Sequence, residues 1–307
     1  MSVIGFDTSN YTTSIAFFDG CDGKNISQLL HVQPGALGLR QSDAVFQHTV
    51  SLPELSGRLF SDVSVESVTA VGVSTRPRAV EGSYMPCFLV GYSHAKLLAD
   101  ALHVPLIACS HQQGHIAACL WSAERMDLLD QPHLAWHLSG GTTELLLVEP
   151  LNKNVNCTRI GGTTDISAGQ LIDRTGQLLN LQFPSGKELD VLSQQAEGAD
   201  SFQVKCENSN FSLSGVQNKV KQYYSSTKSN TETAAYALRC ICKAIQKATE
   251  QALKAYSGLP IVFSGGVSSN SMLRESMLEF NPIFALPQFS TDNAMGTAIL
   301  AYRLQEA

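Results

Sequence analysis

Two histidines four residues apart, His111 and His115, are the residues whose types and spacing point most directly to chemistry. They follow an apolar stretch at 104–108 that reads as a strand, and they open a run through 120 that reads as a helix. Side chains four residues apart on a helix project from one face, so the two imidazoles can hold one divalent metal. On spacing alone, two polar residues at a helix start remain an open alternative.

The residue after His111 limits what such a metal would do. Zinc proteases carry a glutamate there as general base, whereas this chain has Gln112, which cannot accept a proton. A hydrolytic protease is therefore disfavoured, and a metal that anchors a ligand is favoured. Asp292 is a candidate third ligand, because two histidines and one carboxylate make a recurrent open site. A helix N-cap at Asp292 or Thr291 is the alternative interpretation.

Three segments combine an apolar strand pattern with a turn rich in glycine or hydroxyl residues. Residues 3–18 and 134–148 read as hairpins, while 261–270 reads as a strand and turn that lead into a helix at 271–278. Successive backbone N–H groups in such turns form concavities that bind phosphate oxygens. Because the two hairpins open two similar halves, the pattern favours paired turns that hold a nucleotide over ordinary glycine-rich hairpins.

The other clear elements of the sequence are helical. Residues 165–181 and 231–256 carry the apolar periodicity of helices, and the polar residues 225–233 read as an exposed loop before the second of them. At 307 residues the chain is long enough for two domains.

Composition narrows the class of protein. The formal net charge of −6 argues against a chain that binds nucleic acid alone through a broad basic face, although it allows a nucleic acid delivered by a partner. A modest basic stretch at 219–228 is explained at least as well by a solvated helix face. No membrane span or secretion signal is visible, and the eight scattered cysteines read as free thiols, so we expect a cytoplasmic protein.

Taken in order, these motifs resemble the TsaD family of tRNA threonylcarbamoyladenosine synthases, once labelled glycoproteases. The resemblance runs from about residue 3 to residue 304. It is carried by Asp7-Thr8-Ser9, by the histidine pair with Gly114, by Ser139-Gly140-Gly141-Thr142-Thr143, by residues 165–170, 173–175 and 211–215, and by 265–270 and 291–293.

The resemblance implies an α/β protein with the actin-like ATPase and sugar kinase (ASKHA) fold. In that fold two related RNase H-like domains surround a nucleotide cleft, and we expect them at residues 1–122 and 123–307. By position, His111, His115 and Asp292 would hold one divalent metal, iron or zinc, which in turn contacts nucleotide phosphate.

The resemblance also assigns residues to an adenine nucleotide or acyl-adenylate. Asp173 would accept hydrogen bonds from ribose hydroxyls, and Gly186 would lie against the sugar or base. Catalytic contacts in the phosphate and acyl region are expected from Ser139, Gly140, Gly141 and Thr142. Nucleotide contacts are expected from Thr8, Ser9, Thr13, Leu138, Asp173, Gly186, Gly265, Gly266 and Asn270.

The implied reaction is acyl transfer. A threonylcarbamoyl group would pass from threonylcarbamoyl-AMP to N6 of adenosine 37 in tRNA, and AMP would leave. No side-chain nucleophile is needed, which agrees with Gln112. Helper subunits, including an ATPase and a related dimerising paralogue, are the implied partners, and neither a membrane nor DNA is expected.

The chain departs from the family pattern around the expected reaction centre. Tyr11 and Thr12 stand where the family usually has an acidic pair, and Thr142 stands where it usually has histidine. A longer loop at 76–86 replaces a shorter glycine-proline loop and could remodel the acceptor entrance. Two alternatives therefore stay open: a carbamoyltransferase with a small-molecule acceptor, and a nucleotide-binding paralogue without turnover.

Overall fold

The computed structural model of the chain describes residues 1–9, 11–32 and 38–305; Asn10, in the first predicted turn, lies outside them. The strands are β1 (Ser2–Asp7), β2 (Thr12–Phe18), β3 (Gly23–Leu29), β4 (Val68–Ser74), β5 (Leu106–Cys109), β6 (His133–Leu138), β7 (Thr143–Leu151), β8 (Asn154–Thr163), β9 (Cys206–Glu207), β10 (Asn210–Phe211), β11 (Ile261–Ser264) and β12 (Ile283–Phe284). The helices are α1 (Gln41–Phe60), α2 (Phe88–Leu102), α3 (His111–Ser122), α4 (Ala168–Leu178), α5 (Gly186–Ser193), α6 (Ser214–Thr227), α7 (Asn230–Ala255), α8 (Ser271–Ser276), α9 (Pro287–Ser290) and α10 (Met295–Gln305).

The first sheet positions the histidine pair. Its strand order is β3-β2-β1-β4-β5, with β1, β2 and β3 antiparallel and β1, β4 and β5 parallel. The register pairs Val3 with Phe18, so the first predicted hairpin is confirmed. Apolar side chains of this sheet, including Ile4 and Val71, pack with Leu52 and Leu55 of α1 in one buried cluster. Because parallel strands end at one edge, β1, β4 and β5 deliver their following loops to a common place.

The second sheet repeats the order of the first. Within the described residues it runs β12-β11-β6-β7-β8-β10-β9, so β8, β7, β6, β11 and β12 correspond in order to β3, β2, β1, β4 and β5. As in the first sheet, the central strand lies parallel to the two strands on one side. Trp136 and Phe263 are fully buried in its core with Ile241 and Ile245 of α7. This repeat is the pair of related halves that the sequence predicts.

The chain forms two compact units that are discontinuous in sequence. One comprises Met1–Pro132, Val148–Cys157 and Gln288–Ala307, and the other comprises His133–Leu147 and Thr158–Pro287. The division expected from the sequence, at 122/123, differs from these units. The reason is α10, which packs on the first sheet: a Cβ on Gly5 would meet Ala294 O and Ala298 N at 2.7 Å. The last helix therefore belongs to the unit that holds the first strand.

The helical predictions are correct in place but not always in length. The expected helices at 165–181 and 231–256 are α4 and α7. The loop expected at 225–233 is wrong, because α6 continues to Thr227 and α7 starts at Asn230. Val216 and Val220 of α6 are buried, and their packing stabilises the helix, including its polar C-terminal end. Over the part of the chain that is described, no helix has the length and apolar character needed to cross a bilayer.

Candidate metal and nucleotide site

The histidine pair lies in the first turns of α3, as the spacing predicts. Ser110 is the N-cap, and its side chain and that of Gln113 form a reciprocal capping box. The N–H groups of His111 and Gln112, in the first turn of the helix, donate to the backbone oxygens of Arg76, at 2.9 Å, and Pro77, at 3.0 Å. The start of the helix is thus fixed both by its own cap and by the loop that follows β4.

The two imidazoles and the carboxylate of Asp292 converge within the first unit. The ring centroids of His111 and His115 are 4.3 Å apart, with an angle of 79° between the ring planes. Asp292 Oδ1 lies 3.1 Å from His115 Nε2 and 3.4 Å from His111 Nε2. One ligand atom from each residue lies within 4.8 Å of the other two. The structure therefore brings together the three residues that the sequence singles out.

A second carboxylate, that of Asp7, orients His111 from the other side of the ring. Asp7 is the last residue of β1 and is buried. Its Oδ2 lies 2.8 Å from His111 Nδ1, and its Oδ1 accepts from the Ser9 N–H at 2.9 Å. An ionised carboxylate only accepts, so Nδ1 carries the proton and Nε2 points to Asp292. A carboxylate behind a histidine in this way is the usual support of a metal-binding imidazole.

The electrostatics of the group favour a cation. Burial by itself would raise the pKa of Asp7 and Asp292, but the attraction and hydrogen bonds of the histidines outweigh burial and hold both below their usual values. Burial would lower the pKa of His111, yet the charges of Asp7 and Asp292 and their hydrogen bonds raise it to about 10. Two carboxylates with two neutral imidazoles carry two negative charges, and a proton on His111 offsets one of them.

The donor set fits a first-row divalent metal. Ligand atoms at about 2.0–2.2 Å from such an ion, at tetrahedral or octahedral angles, are about 3.0–3.5 Å from one another. The two distances from Asp292 Oδ1 to the imidazole nitrogens fall at these values. Imidazole and carboxylate donors suit both iron and zinc, so the residues fit either metal.

The helix cap expected at Asp292 or Thr291 is formed by another residue. Helix α10 begins at Met295, and Asn293 Oδ1 accepts from the Met295 N–H at 3.1 Å. Asn293 Nδ2 also donates to Thr291 O at 2.7 Å. The neighbouring amide therefore holds the end of the helix, which leaves the Asp292 carboxylate to the histidines.

The hydroxyls predicted in the first hairpin are buried. Thr8 Oγ1 donates to Cys87 O at 2.9 Å and accepts from the Gly91 N–H at 3.0 Å. Thr13 Oγ1 lies 2.7 Å from His48 Nδ1. The Ser9 hydroxyl is buried without a hydrogen-bond partner among the described residues. Thr8 and Thr13 thus have structural contacts, and nucleotide binding by all three remains a prediction.

The predicted phosphate loop, Leu138 to Thr142, forms a tight turn in the second unit. Ser139 N donates to Thr142 O at 2.8 Å, and the Thr142 N–H returns to Ser139 Oγ at 3.1 Å. Gly140 and Gly141 are exposed, and no atom lies within 4 Å of a Cβ built on either. The tip can therefore accept a ligand oxygen against its backbone, as an anion-binding turn must.

Helix α4 connects this loop with Asp173. A Cβ on Gly169 would lie 2.5 Å from Gly140 Cα, so the helix start touches the loop backbone. Asp173 is one turn further along the same face, about 6 Å along the axis. Its Oδ1 accepts from the N–H of Ser185, the residue before Gly186. Burial raises the pKa of Asp173.

The third glycine-rich turn packs against the same loop. Gly265 has a φ of +88°, and a Cβ there would collide with the Leu138 backbone. Gly266 begins a short 3-10 helix, Gly266–Ser269. Asn270 caps α8 through an N–H···O bond from Leu273 at 3.0 Å. These predicted nucleotide residues therefore share a unit and a neighbourhood with Leu138, while the metal residues belong to the other unit.

Sequence reasoning missed the roles of three residues. Asp7 stands in a motif that the sequence shows, and a carboxylate at the end of a strand was its signal. His48 is fully buried on α1, and burial lowers its pKa to about 4. The only sequence signal for Asn293 is that it is a polar residue beside the start of a helix. Tyr11 lies in the turn before β2 and Thr12 is the first residue of β2, and neither brings a carboxylate to the hairpin.

A family model and two curated relatives with similar sequences carry the same name. The family model of TsaD, described as tRNA N6-adenosine threonylcarbamoyltransferase, matches residues 24–299. A protein of that name from Carboxydothermus hydrogenoformans is 31% identical over 98% of this chain and 91% of its own length. One from Sulfurihydrogenibium sp. is 30% identical over 99% of this chain and 90% of its own.

Solved structures with 15% identity or less show the fold. Full-length HypF, in a phosphate- and nucleotide-bound form, matches all of this chain with 47% of its own, at a TM-score of 0.64 and 15% identity. The ROK hexokinase from Thermus thermophilus matches over the full length of both chains, at a TM-score of 0.57 and 14% identity. The architecture is thus the predicted ATPase and sugar kinase fold, and the sequence match over nine-tenths of the chain shows that it belongs to the TsaD family of tRNA N6-adenosine threonylcarbamoyltransferases.

Proposed function

We propose that this chain transfers a threonylcarbamoyl group from threonylcarbamoyl-AMP to N6 of adenosine 37 in tRNA, and that His111, His115 and Asp292 hold one divalent metal, iron or zinc, for this reaction. The observation that carries the proposal is the convergence of two imidazole nitrogens on one carboxylate oxygen, backed by Asp7, in a member of this family. A noncatalytic paralogue would have no evident use for this arrangement.

The reaction makes one bond and breaks one. The lone pair of N6 forms a bond to the carbamoyl carbon, the bond from that carbon to a phosphate oxygen breaks, AMP leaves with the electron pair, and N6 gives up one proton to solvent. A bound divalent cation would supply positive charge that polarises the carbonyl and offsets charge on the leaving phosphate.

The residues of the chain bind and orient in this scheme. Asp7 holds the His111 ring so that Nε2 faces the site. Backbone N–H groups from Leu138 to Thr142 are the proposed anion contacts, and Ser139 and Thr142 brace that turn. The Asp173 carboxylate suits a ribose diol, with Gly186, Gly265, Gly266 and Asn270 around the rest of the nucleotide.

One alternative function is a carbamoyltransferase with a small-molecule acceptor. It is supported by Tyr11, Thr12 and Thr142, which stand where the family usually has an acidic pair and a histidine. It predicts donor consumption and AMP release without a modified nucleoside. Helper subunits would then be unnecessary, whereas transfer to tRNA in the cytoplasm is expected to involve them.

The deciding experiment is complementation of a strain that lacks its own synthase. Mass spectrometry of digested tRNA should show threonylcarbamoyladenosine with the wild-type chain and with Asp62→Asn, which changes an exposed carboxylate outside the site. It should show none with His111→Ala or Asp292→Ala. Normal expression of the wild-type chain without the nucleoside would contradict the proposal, and AMP release from the donor with small acceptors would then favour the alternative function.

A further inference from the structure

Residues 75–86, here named the arginine loop, connect β4 to α2 and carry Arg76 and Arg78. None of its residues is part of a helix or strand. The loop begins where β4 ends, at the same sheet edge as Asp7. Its sequence places two guanidinium groups and one tyrosine, Tyr84, within nine residues of chain.

Both ends of the arginine loop are fixed around His111. At its start, Thr75 N donates to Cys109 O at 3.0 Å, and Arg76 O accepts from the His111 N–H at 2.9 Å. Just past its end, the Phe88 ring meets the His111 ring edge-on, with centroids 6.2 Å apart. The start of the loop is thus bonded to His111, and the second residue after its end contacts the ring of His111, so the loop runs close to the candidate metal residues.

The middle of the loop is folded by its own turn. Arg78 N donates to Ser83 Oγ at 3.0 Å, and Ser83 N to Val80 O at 3.3 Å. Gly82 supplies the left-handed backbone, with a φ of +73° and open space around it. This turn leaves Tyr84 63% exposed and Val80 52% exposed. An aromatic ring that is largely in solvent on a braced loop offers a face for stacking.

The charge of the loop contrasts with that of the molecule. Arg76 is exposed, and the carboxylates of the described residues give it no ion pair. The whole chain has a formal charge of −6, so it lacks the broad positive surface with which proteins usually attract nucleic acid. With Arg76, Arg78 and Glu81, the arginine loop has a formal charge of +1, and it supplies local positive charge close to the candidate metal residues.

We propose that the arginine loop binds the single-stranded part of the RNA acceptor, with Arg76 and Arg78 on its phosphates and Tyr84 stacked on an unpaired base. The inference rests on the proposed function and assigns its acceptor contacts. Arginine pairs phosphate oxygens, and aromatic faces stack on splayed bases, which is how proteins recognise single-stranded loops of RNA. A small-molecule acceptor would need neither a pair of arginines for phosphates nor a stacking face for an unpaired base.

The test measures binding of the full-length chain to an unmodified anticodon stem-loop that contains adenosine 37, over a series of salt concentrations. The double variant Arg76→Ala/Arg78→Ala should bind roughly tenfold or more weakly, and the slope of log K against log salt should fall by about 2. Tyr84→Ala should weaken binding about tenfold, while Tyr84→Phe keeps the stacking face and should bind as wild type does.

A matched control is Arg58→Ala, which removes an exposed arginine from the last turn of α1 and should leave binding and slope unchanged. Metal content of every variant should equal that of wild type, which separates loss of RNA contacts from damage to the histidine site. Undetectable binding of the stem-loop by wild type, or equal losses in the control variant, would overturn the proposal.

The outcome is separable from that of the proposed function. RNA binding that depends on the loop, in a chain that forms no modified nucleoside, keeps the loop assignment and rejects the transfer reaction. Formation of the nucleoside with an unchanged KM for tRNA in the double arginine variant rejects the loop assignment and keeps the reaction. A changed KM for a small acceptor without RNA binding also rejects the loop assignment.

Discussion

At the scale of single residues, the site depends on which ring nitrogen of His111 faces Asp292. The carboxylate of Asp7 decides this by accepting from Nδ1 at 2.8 Å. The same carboxylate and Asp292 raise the pKa of His111 to about 10, so the ring carries a second proton, on Nε2, at neutral pH. A cation that binds must displace that proton, and its affinity is therefore coupled to the charges around the ring.

Replacing Asp7 with asparagine should weaken metal binding without unfolding the protein. The amide oxygen can still accept from Nδ1, but the negative charge that makes the ring a strong donor is lost. We expect a roughly 10- to 100-fold lower affinity for zinc by competition with a chelator. Asp62→Asn is the matched control, because it removes an exposed carboxylate that pairs with Lys24. Equal affinities of the two variants would refute the orienting role of Asp7.

The buried His48 should make stability depend on pH in a narrow window. Burial lowers its pKa from 6.5 to about 4, so the unfolded chain takes up a proton near pH 6.5 that the folded chain refuses until about pH 4. Stability is thus intact above pH 6.5 and declines as the pH falls toward 4, by up to about 3 kcal/mol.

His48→Gln removes this titrating group, so its free energy of unfolding should fall less than that of wild type between pH 6.5 and 4. The comparison is made by urea denaturation at each pH. His94→Gln, at a half-buried position on α2, serves as control and should keep the wild-type dependence. Identical pH curves for wild type and His48→Gln would show that the ring is protonated inside the fold.

At the scale of elements, the predicted nucleotide residues are placed by close backbone contacts. Helix α4 approaches the loop from Leu138 to Thr142 so tightly that only glycine fits at 169. The Ser167 hydroxyl also donates to Gly140 O at 2.6 Å, and the Ala168 N–H donates to Thr143 Oγ1 at 2.8 Å. The helix start and the loop therefore behave as one piece.

Gly169→Ala should separate the start of α4 from the loop between Leu138 and Thr142. The new Cβ meets backbone atoms at 2.5–2.6 Å, which cannot rotate away, so we expect a loss of about 1–3 kcal/mol in the free energy of unfolding and weaker binding of adenine nucleotide.

Gly215→Ala is an exact positional counterpart for this substitution, because Gly215 is also the second residue of a helix, α6, and has open space around its Cβ. It should be neutral or stabilising by up to about 1 kcal/mol. Urea denaturation and nucleotide titration measure both variants. A Gly169→Ala protein as stable as Gly215→Ala would contradict the close packing of α4 on the loop.

At the scale of the whole molecule, the order of the chain and the order of the fold differ. The first compact unit takes its last helix, α10, from the far end of the sequence. That helix covers Gly5 of β1 and Gly72 of β4, and it crosses α3 where Gly114 and Gly296 lie against each other. Asp292 lies just before this helix, so the same end of the chain completes both the core of the first unit and the candidate metal site.

Truncation after residue 287 should therefore unfold the first unit selectively. Hydrogen exchange should lose protection in β1 and β4, whose covering helix is gone, while α7 and β6 keep theirs because their core lies in the other unit. Full-length Asp292→Ala is the control, with metal binding lost and β1 still protected. Protected amides in β1 of the truncated chain would contradict the dependence on α10.

Much of the fold was predictable because it rests on local patterns. Apolar strand patterns around the turns after Asp7 and after Leu138 predicted the two hairpins, and the long stripe at 231–256 predicted α7 to within one residue at each end. The limits of α6 were not predictable, because its polar end has no stripe of its own and is held by the burial of Val216 and Val220. The composition of the two compact units was not predictable for a related reason, since α10 packs on β1 through contacts that no local pattern encodes.

The sequence by itself determined the identities and local geometry of the candidate ligands: two imidazoles one helical turn apart, and a glutamine that rules out a general base at 112. Only the tertiary structure decided that Asp292, 177 residues beyond His115, reaches the same point, that Asp7 stands behind His111, and that Asn293 takes over the helix cap. The physical reason is the distance along the chain over which each kind of interaction acts. Helical spacing and capping act within a turn or two of chain, whereas the carboxylates from β1 and from the segment before the last helix meet the histidines only after the core of the sheet has packed.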